Sequence, residues 1–592
     1  MNWSDNAFVF MTRRLWKYSD GNKKNVVLYV ILFIIANLIQ MVEPLVVALL
    51  VNTVQLQGVS EANISYLVFL SFIMVSKEFV FWLFHGPARV IENRNAFLVR
   101  ANFKKFLLDG TLELPAYWHA DHHSGDTIDK INKATDALYD YSSSMFFTIS
   151  SAVRFCVAYV ALAYFNIHAS YIVLISTCLA LYIIRQFDKR LMMRWRTLSK
   201  FENNISAKIF DVISNVTTVI ILRAEHLLLK EIWKKVMSPF KMYVGTQKLN
   251  EFKWFLVSIC SGLMISTVFI TYILNVYWAK SVILIGTLFA LYEYLRQISD
   301  IFFEFAWRYS EVVRNKTRVE NGEELSRDFV TKIKSKPGIL KNPWREMIIR
   351  HLFFSYNGKE DELHLHNVSF DIKNGERIAI IGESGCGKTT FLKLLRGLYH
   401  PKKVEINLDD KPISNGFDAI SEDVTLLPQE PELFTTTIRE NITMGVSYPD
   451  TVLKRFTDMA VFTKVAKQLP KKLESSILEK GVNLSGGEKQ RLALARGLLA
   501  AYDKPMLLLD EPTSSVDLRT ETLIYDNIFR EFKKKTIISS MHRLHLLNRF
   551  DRIYLFKNGK IITQGTLKHL RINSPEFQEL WRKYHQKSKP QS

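Results

Sequence analysis

The stretch that most constrains this chain is Arg377–Leu395, RIAIIGESGCGKTTFLKLL. An apolar run, Ile378 to Ile381, meets a glycine-rich turn and then an apolar pattern of helical period, which reads as strand, loop and helix. The loop matches G-x-x-x-x-G-K-[ST] at Gly382, Gly387, Lys388 and Thr389. Glycines let backbone N–H groups turn inward and cradle phosphate oxygens, and the helix N-terminus adds its positive dipole end. In such a loop Lys388 would reach the β- and γ-phosphates of a nucleotide, and the Thr389 hydroxyl would hold Mg²⁺.

At 592 residues the chain is too long for one core. Its hydrophobic content, 48%, is concentrated in long runs in the first half. A formal charge of +20 raises nucleic acid as a partner, but a membrane protein with basic loops on one side carries the same signature. Cys156, Cys178, Cys260 and Cys386 form no close-spaced framework, so neither a disulfide scaffold nor a zinc site is indicated. No small-residue cleavage site follows the basic N-terminal stretch, and no removable signal peptide is expected.

From Val26 to Val51 the chain is almost wholly apolar, long enough at roughly 1.5 Å per residue to cross a hydrocarbon core of about 30 Å. Five further spans are expected at about Ile64–Phe84, Met145–Phe165, Ala169–Ile184, Phe255–Val276 and Ser281–Phe303. The connections Asn52–Asn63 and Asn166–His168 have no Lys or Arg, and the turn between spans five and six holds only Lys280. Gly86–Ser144 and Arg185–Trp254 are rich in both. This alternation places both termini and the two long loops in the cytoplasm and accounts for much of the charge without nucleic acid. The triplet Asn63-Ile64-Ser65 is read as a chance glycosylation sequon.

The long loops have few turn breakers, so spans two to five are expected to continue as helices, some 25 further residues reaching about 40 Å beyond the bilayer. Each loop is expected to break once, at Leu114-Pro115 to Gly125 and at Asp211–Ala224. A transmembrane domain over 1–325 is followed by a linker over 326–346, where Pro337-Gly338 and Pro343 break any helix. From 347 to 585 strands and helices alternate, and 586–592 reads as a disordered tail.

In Met506–Asp517, MLLLDEPTSSVD, four apolar strand residues deliver Asp510 and Glu511 to the strand's C-terminal end, where α/β sheets place their ligands. Asp510 would hold Mg²⁺ through water, and Glu511 would polarise an attacking water. Asn483–Arg491, NLSGGEKQR, opens a second helix N-terminus at Ser485, Gly486 and Gly487. One nucleotide needs one cradle for its β- and γ-phosphates, so a second implies ATP sandwiched between two copies of the chain.

On these motifs the chain resembles the ABC transporter family, in its exporter (type IV) half-transporter form. The resemblance implies an all-α six-helix transmembrane domain followed by an α/β P-loop ATPase domain. It implies a nucleotide site of Tyr356, Gly382, Gly385, Cys386, Gly387, Lys388, Thr389, Thr390 and Gln429, with Ser485, Gly486, Gly487 and Glu488 offered to the partner copy. Tyr356 would stack on adenine, Gln429 in LLPQEPELF would sense Mg²⁺ and the membrane domain, and His542 in MHR would contact the γ-phosphate. The metal set is then Thr389, Gln429 and Asp510, and the catalytic set Glu511, His542 and Gln429. Ser515-Val516-Asp517 corresponds to the family's D-loop, and Glu479-Lys480-Gly481 resembles its contact with the coupling helices. Leu114–Asp126 and Asn215–Glu225 resemble the two coupling regions. The His119, His122 and His123 group lacks a carboxylate or Cys set for metal, and a solvated coupling loop is expected instead. Cys386 stands where many relatives have Ser, and Glu488 where many have Gln; Cys386 would make the ATPase sensitive to thiol alkylation unless nucleotide protects it.

In span six, Glu293, Arg296, Asp300 and Glu304 recur at helical spacing within an arc of about 80°. Arg296 and Asp300 are also an i, i+4 pair. A charge at a span centre costs roughly 2.5–3.5 kcal/mol, so these side chains face protein or water. Two readings stand: Glu293, Arg296 and Asp300 line a cavity that contacts polar parts of a substrate, or the stripe pairs within the protein or lies beyond the membrane. Lys77, Glu78 and Arg154 are further charges in or near spans.

The expected protein is an ATP-driven transporter of an amphipathic lipid, hydrophobic drug or peptide, working as a homodimer in a bacterial inner membrane. A heterodimer and an exporter-shaped importer of a metal chelate or vitamin share every motif. A soluble ATPase acting on nucleic acid would lack the six-span charge alternation.

Overall fold

The computed structural model describes residues 6–122, 124–329, 339–341, 343–356, 363–430, 432–477 and 484–587. Two compact units divide the chain: 1–114 with 122–330, and 331–592 with 115–121.

The first unit is helical: α1 (Ala7–Tyr18), α2 (Lys23–Gln40), α3 (Glu43–Gln57), α4 (Ile64–Leu112), then, past the short α5 (Ala116–Asp121) that groups with the second unit, α6 (Ser124–Ser142), α7 (Met145–Phe165), α8 (Ile167–Ser214), α9 (Val216–Ile221), α10 (Glu225–Met237), α11 (Phe240–Trp278) and α12 (Ile285–Glu324). Among the described residues, five helical segments are long and apolar enough to cross a membrane: Lys23–Gln57, Ile64–Leu112, Ser124–Phe165, Ile167–Ser214 and Glu225–Trp278. The sixth expected span falls in α12, whose first turns carry Glu293, Arg296 and Asp300 and so lack an uninterrupted apolar window; its helix begins at Ile285 rather than Ser281.

Four further expectations need correction. The run Val26–Val51 is not one helix. It divides at Met41–Val42, because Pro44 in the first turn of α3 has no N–H to donate and its ring clashes with a carbonyl one turn back. The second long loop breaks again at Ser238-Pro239 for the same reason, and the first at Ser143-Ser144, between α6 and α7. The helix α20 (Pro575–Lys587) runs past residue 586, where a disordered tail was expected to begin. The amphipathic α1 was not foreseen; it buries Ala7, Met11, Leu15 and Tyr18 against α4, α6 and α12.

Close approach sets the packing. A Cβ on Gly286 would lie 2.2 Å from the carbonyl oxygen of Ala48, so α12 meets α3 with nothing between the backbones. There α3 also supplies caps that α12 lacks locally: Asn52 Oδ1 accepts the Gly286 N–H at 2.9 Å, and Gln55 Oε1 accepts the Ile285 N–H at 2.8 Å. Asn63, buried, spends its amide on the Gly58 carbonyl and the Ser60 N–H, which suits a turn residue better than a glycan acceptor.

The second unit has two sheets. Strands β1 (Glu346–Phe354), β2 (Leu365–Lys373), β4 (Lys403–Leu408) and β5 (Lys411–Pro412) form an antiparallel sheet in the order β2-β1-β4-β5; the other, built around β3 (Arg377–Ile381), also contains β6 (Val424–Leu427), β7 (Met506–Asp510), β8 (Thr536–Met541), β9 (Arg552–Lys557) and β10 (Lys560–Gly565) in the order β10-β9-β3-β8-β7-β6. From β9 to β6 its neighbours run parallel. Successive side chains of a strand point to opposite faces. Thus Ile378, Ile380, Leu508 and Ile538 pack toward the antiparallel sheet and α13 (Lys388–Leu395), while Ala379, Ile381, Leu507, Leu509 and Ile537 pack beneath helices that include α17 (Gly486–Ala500) and α18 (Leu518–Glu531). This two-sided burial is why β3, β7 and β8 read as unbroken apolar runs rather than alternating ones.

Candidate nucleotide site

The C-terminal ends of β3, β8 and β7, three adjacent strands, deliver the site. The loop after β3 requires its glycines. Gly382 has φ +152°, and a Cβ there would lie 2.3 Å from the carbonyl oxygen of Phe556; Gly387, the residue capping α13, has φ +106°. The first turn of α13 therefore presents N–H groups that have no acceptor within the helix. Lys388 is buried, and its Nζ donates to the carbonyls of Gly382 at 3.0 Å and Glu383 at 3.2 Å, which holds the ammonium across the loop. Gly385 has open space where a side chain would stand. Cys386 is buried, and burial pushes its thiol up from the ordinary range despite the nearby Lys388.

At the end of β7, Asp510 Oδ1 accepts from Ser540 Oγ at 2.6 Å and from Thr389 Oγ1 at 3.1 Å. Burial pushes its carboxyl pKa up, while these two hydrogen bonds oppose the shift. Thr389 and Asp510 are hard oxygen donors placed together, and they fit a Mg²⁺ ion. Glu511 takes a left-handed conformation, φ +47°, rare for a residue with a Cβ. That turn lets its N–H donate to Ser540 Oγ at 3.1 Å and brings its carboxylate among three partners. Gln429 Nε2 donates to Glu511 Oε2 at 3.0 Å, His542 Nε2 lies 2.7 Å from Oε1, and Lys388 Nζ lies 4.0 Å from Oε1.

Tyr356 is exposed; its hydroxyl donates to Thr390 Oγ1 at 3.2 Å, and its ring stands edge-on to Phe354, His364 and Tyr399. This supported, solvent-facing ring beside the phosphate loop can stack a base. Ser485 caps α17 in a capping box with Glu488, whose Oε2 accepts the Ser485 N–H at 2.8 Å. Glu488 thus closes its own helix N-terminus. A Cβ on Gly487 would lie 2.8 Å from the Ser515 carbonyl, while Gly486 has room. The helix α17 packs on β6, the sheet edge, with β7 and β8 between it and β3. The segment Glu479-Lys480-Gly481 lies outside the described residues.

The charged stripe of α12 is divided. Arg296 pairs with Glu293 at 2.5 Å instead of the expected Asp300, because helical side chains lean toward the N-terminus. Glu304 pairs with Arg154 at 2.6 Å and accepts from Ser151, while Asp300 is exposed. Lys77 is buried between Glu43 at 2.5 Å and Glu78 at 3.0 Å. Of the histidine group, His119 packs edge-on against Trp118, and His123 lies outside the described residues.

Sequence reasoning missed Ser540, which organises Asp510 and Glu511, and Gln490, whose amide grips the loop after Glu511. It also left Arg543 and Glu521 unassigned. Two of these stood inside the quoted motifs, Gln490 in NLSGGEKQR and Arg543 in MHR.

The family model described as "ABC transporter transmembrane region" matches residues 26–302, and that described as "ABC transporter" matches 365–514. The glutathione/L-cysteine transport system ATP-binding/permease protein CydD of Bacillus subtilis (strain 168) is 26% identical over 481 residues, 77% of this chain and 79% of that one. The ATP-binding cassette sub-family B member 6 of Rattus norvegicus is 26% identical over 79% of this chain, which spans 56% of its length. In fold, the chain resembles a bacterial Atm1-family ABC exporter solved with ATP bound: TM-score 0.84, 20% identity, 96% of this chain and 99% of the other.

Proposed function

The chain belongs to the ABC transporter family as a fused exporter-type half-transporter, an integral membrane protein that binds ATP and couples its hydrolysis to transport, and from that premise we propose how its residues divide the work. Two copies form the working unit. Each lends Ser485, Gly486, Gly487 and Glu488 to a nucleotide held by the other's Tyr356, Lys388, Thr389 and Thr390. A single chain carries both halves of the site intact, which supports a homodimer.

Within each site, Lys388 and the N–H groups opening α13 hold the β- and γ-phosphates. Glu511 accepts a proton from the attacking water, with His542 and Gln429 fixing its two oxygens and His542 facing the γ-phosphate. Thr389, Asp510 and Gln429 would hold Mg²⁺, which neutralises charge on the phosphate oxygens when bound. The observation that carries this reading is the meeting of Gln429, Glu511 and His542 at hydrogen-bonding distance, from segments far apart in sequence.

The cargo is an amphipathic lipid, hydrophobic drug or peptide, moved out of a bacterial cytoplasm or inner leaflet. Two things support this. The basic and neutral loops alternate, as expected when both termini and the ATPase unit are cytoplasmic, and polar side chains on α12 stand beside exposed Phe289 and Tyr292. The test is ATP turnover in lipid nanodiscs, beside Glu511→Gln, with lipopolysaccharide-type lipids, cationic drugs, peptides and glutathione added in turn. Stimulation by one class, absent from the variant, identifies the cargo. Uptake instead of extrusion in inside-out vesicles would replace the export reading with import.

A further inference from the structure

The helix α1 has two faces of opposite kind. One buries Ala7, Met11, Leu15 and Tyr18 against α4, α6 and α12; the other leaves Arg13, Trp16 and Lys17 exposed. The turn that leads from α1 into α2 is pinned to α4. Asn95 Nδ2 donates to Ser19 Oγ at 3.2 Å, its Oδ1 accepts from Asn22 Nδ2 at 2.8 Å, and Asn102 Nδ2 donates to the Tyr18 carbonyl at 2.9 Å. The exposed cations on either side of this turn are therefore held in place by the fold.

Immediately after the turn, α2 divides its surface in the same way. Val26, Tyr29, Phe33, Ala36 and Asn37 are buried, and α2 packs on α4 and α7. On the other side Val27, Leu28, Ile31, Ile34 and Leu38 are exposed, and at about 100° per residue they share an arc of about 120° with Lys24. Lys24 precedes the first of them by roughly 4.5 Å along the axis, so its stem can cover apolar surface while its ammonium stays in water.

The charges at this corner are mostly unspent. Arg14 pairs with Glu323 at 2.8 Å, and Lys23 with Asp20 at 3.2 Å. Arg13 and Lys24 have no carboxylate partner among the described residues. Lys23 also lies 5.8 Å from the Trp16 ring. An indole and unpaired cations at the foot of an exposed apolar strip match a membrane–water boundary, where Trp sits among headgroups and basic side chains meet lipid phosphate.

We propose that the corner between α1 and α2 binds the headgroup of an anionic phospholipid. Arg13 and Lys24 draw the phosphate, Trp16 packs beside the glycerol region, and the acyl chains lie along Val27, Ile31 and Leu38. The site needs only that α2 enters the bilayer; that the leaflet is the cytoplasmic one rests on the orientation proposed above.

The test is native mass spectrometry of the full chain in mild detergent, titrated with equal amounts of phosphatidylglycerol and phosphatidylcholine. The parent should hold phosphatidylglycerol at least about tenfold better, and the preference should weaken as ionic strength rises. Arg13→Gln and Lys24→Gln should each cut the preference about fivefold, the worth of one basic residue at a charged membrane surface, and together remove it. Arg13→Lys with Lys24→Arg keeps both charges and should keep the preference, which a packing defect would not reproduce. Lys568→Gln, which removes an exposed charge from the second unit, should change nothing. A preference that survives the double glutamine variant would overturn the site. A parent without preference would do the same and leave the apolar strip to a second copy of the chain, and displacement of the lipid by millimolar inorganic phosphate would reassign the corner to free phosphate. Labelling of Lys24 by a membrane-impermeant amine reagent in right-side-out vesicles alone would remove the orientation reading and move the same lipid site to the outer leaflet.

Discussion

His542 Nε2 stands 2.7 Å from Glu511 Oε1 while Gln429 Nε2 donates to Oε2 of the same carboxylate at 3.0 Å. A carboxylate fixed at both oxygens has lost most of its rotational freedom before any water approaches it. Positioned general bases contribute about 10²–10⁴-fold to rate. Glu511→Gln keeps the shape and removes the base, so turnover should fall at least about 100-fold with ATP binding retained. Phosphate release and filter binding measure the two; turnover within tenfold of the parent would exclude Glu511 as the base.

Tyr356 offers an exposed ring braced by Phe354, His364 and Tyr399. Base–aromatic stacking is worth about 1–3 kcal/mol. Tyr356→Ala should raise half-saturating ATP about tenfold and leave kcat nearly unchanged, and Tyr356→Trp should restore it. An unchanged ATP dependence in the alanine variant would place adenine elsewhere.

Cys386 tests the phosphate loop by its pH dependence. Only the thiolate reacts with an alkylating agent, and burial raises this thiol's pKa above its ordinary value. Below that raised pKa the thiolate fraction grows about tenfold per pH unit. Inactivation by N-ethylmaleimide should therefore be slow at neutral pH and still climbing where an ordinary thiol has levelled off. ATP should protect, and Cys386→Ser should abolish the effect. A rate that is flat with pH, or one that survives Cys386→Ser, would assign the inactivation to another cysteine.

Asp188 on α8 and Lys253 on α11 form a buried ion pair at 3.1 Å, with Ser310 of α12 donating to the same carboxylate oxygen. Removing one partner leaves the other charge uncompensated, which typically costs about 3–5 kcal/mol. Lys253→Met should markedly lower the thermal midpoint of the purified protein, and Asp188→Leu with Lys253→Met should recover most of the loss. A double variant less stable than either single one would mean that the pair stabilises beyond its mutual neutralisation.

The phosphate loop, the strand carrying Asp510 and Glu511, and the capped LSGG helix were legible because each is local: a few adjacent residues specify strand, turn and cap. Most of the long apolar helices of the first unit were legible for a similar reason, since apolar length alone announces them. What escaped depends on partners far away in sequence. Ser540 matters only because β8 lies beside β7, and Glu521 only because Arg543 reaches it across α18. The left-handed Glu511 has no local signal, since no glycine marks the position. Pro44 and Pro239 did carry a local signal, and their breaks could have been foreseen. The choice of Glu293 over Asp300 by Arg296 was open at the level of spacing, because both lie within one helical turn.

The interruption at Met41–Val42 has a mechanical consequence. Below it, α2 packs on α4 and α7; above it, α3 packs chiefly on α12, where Gly286 admits its backbone and Tyr294 donates to the freed Met41 carbonyl at 3.1 Å. An unbroken rod would oblige both sets of neighbours to swing together. With the joint, α2 and α3 each follow their own principal neighbours, and Tyr294 holds the carbonyl at the bend. A span counted once for topology must here be counted twice for mechanics.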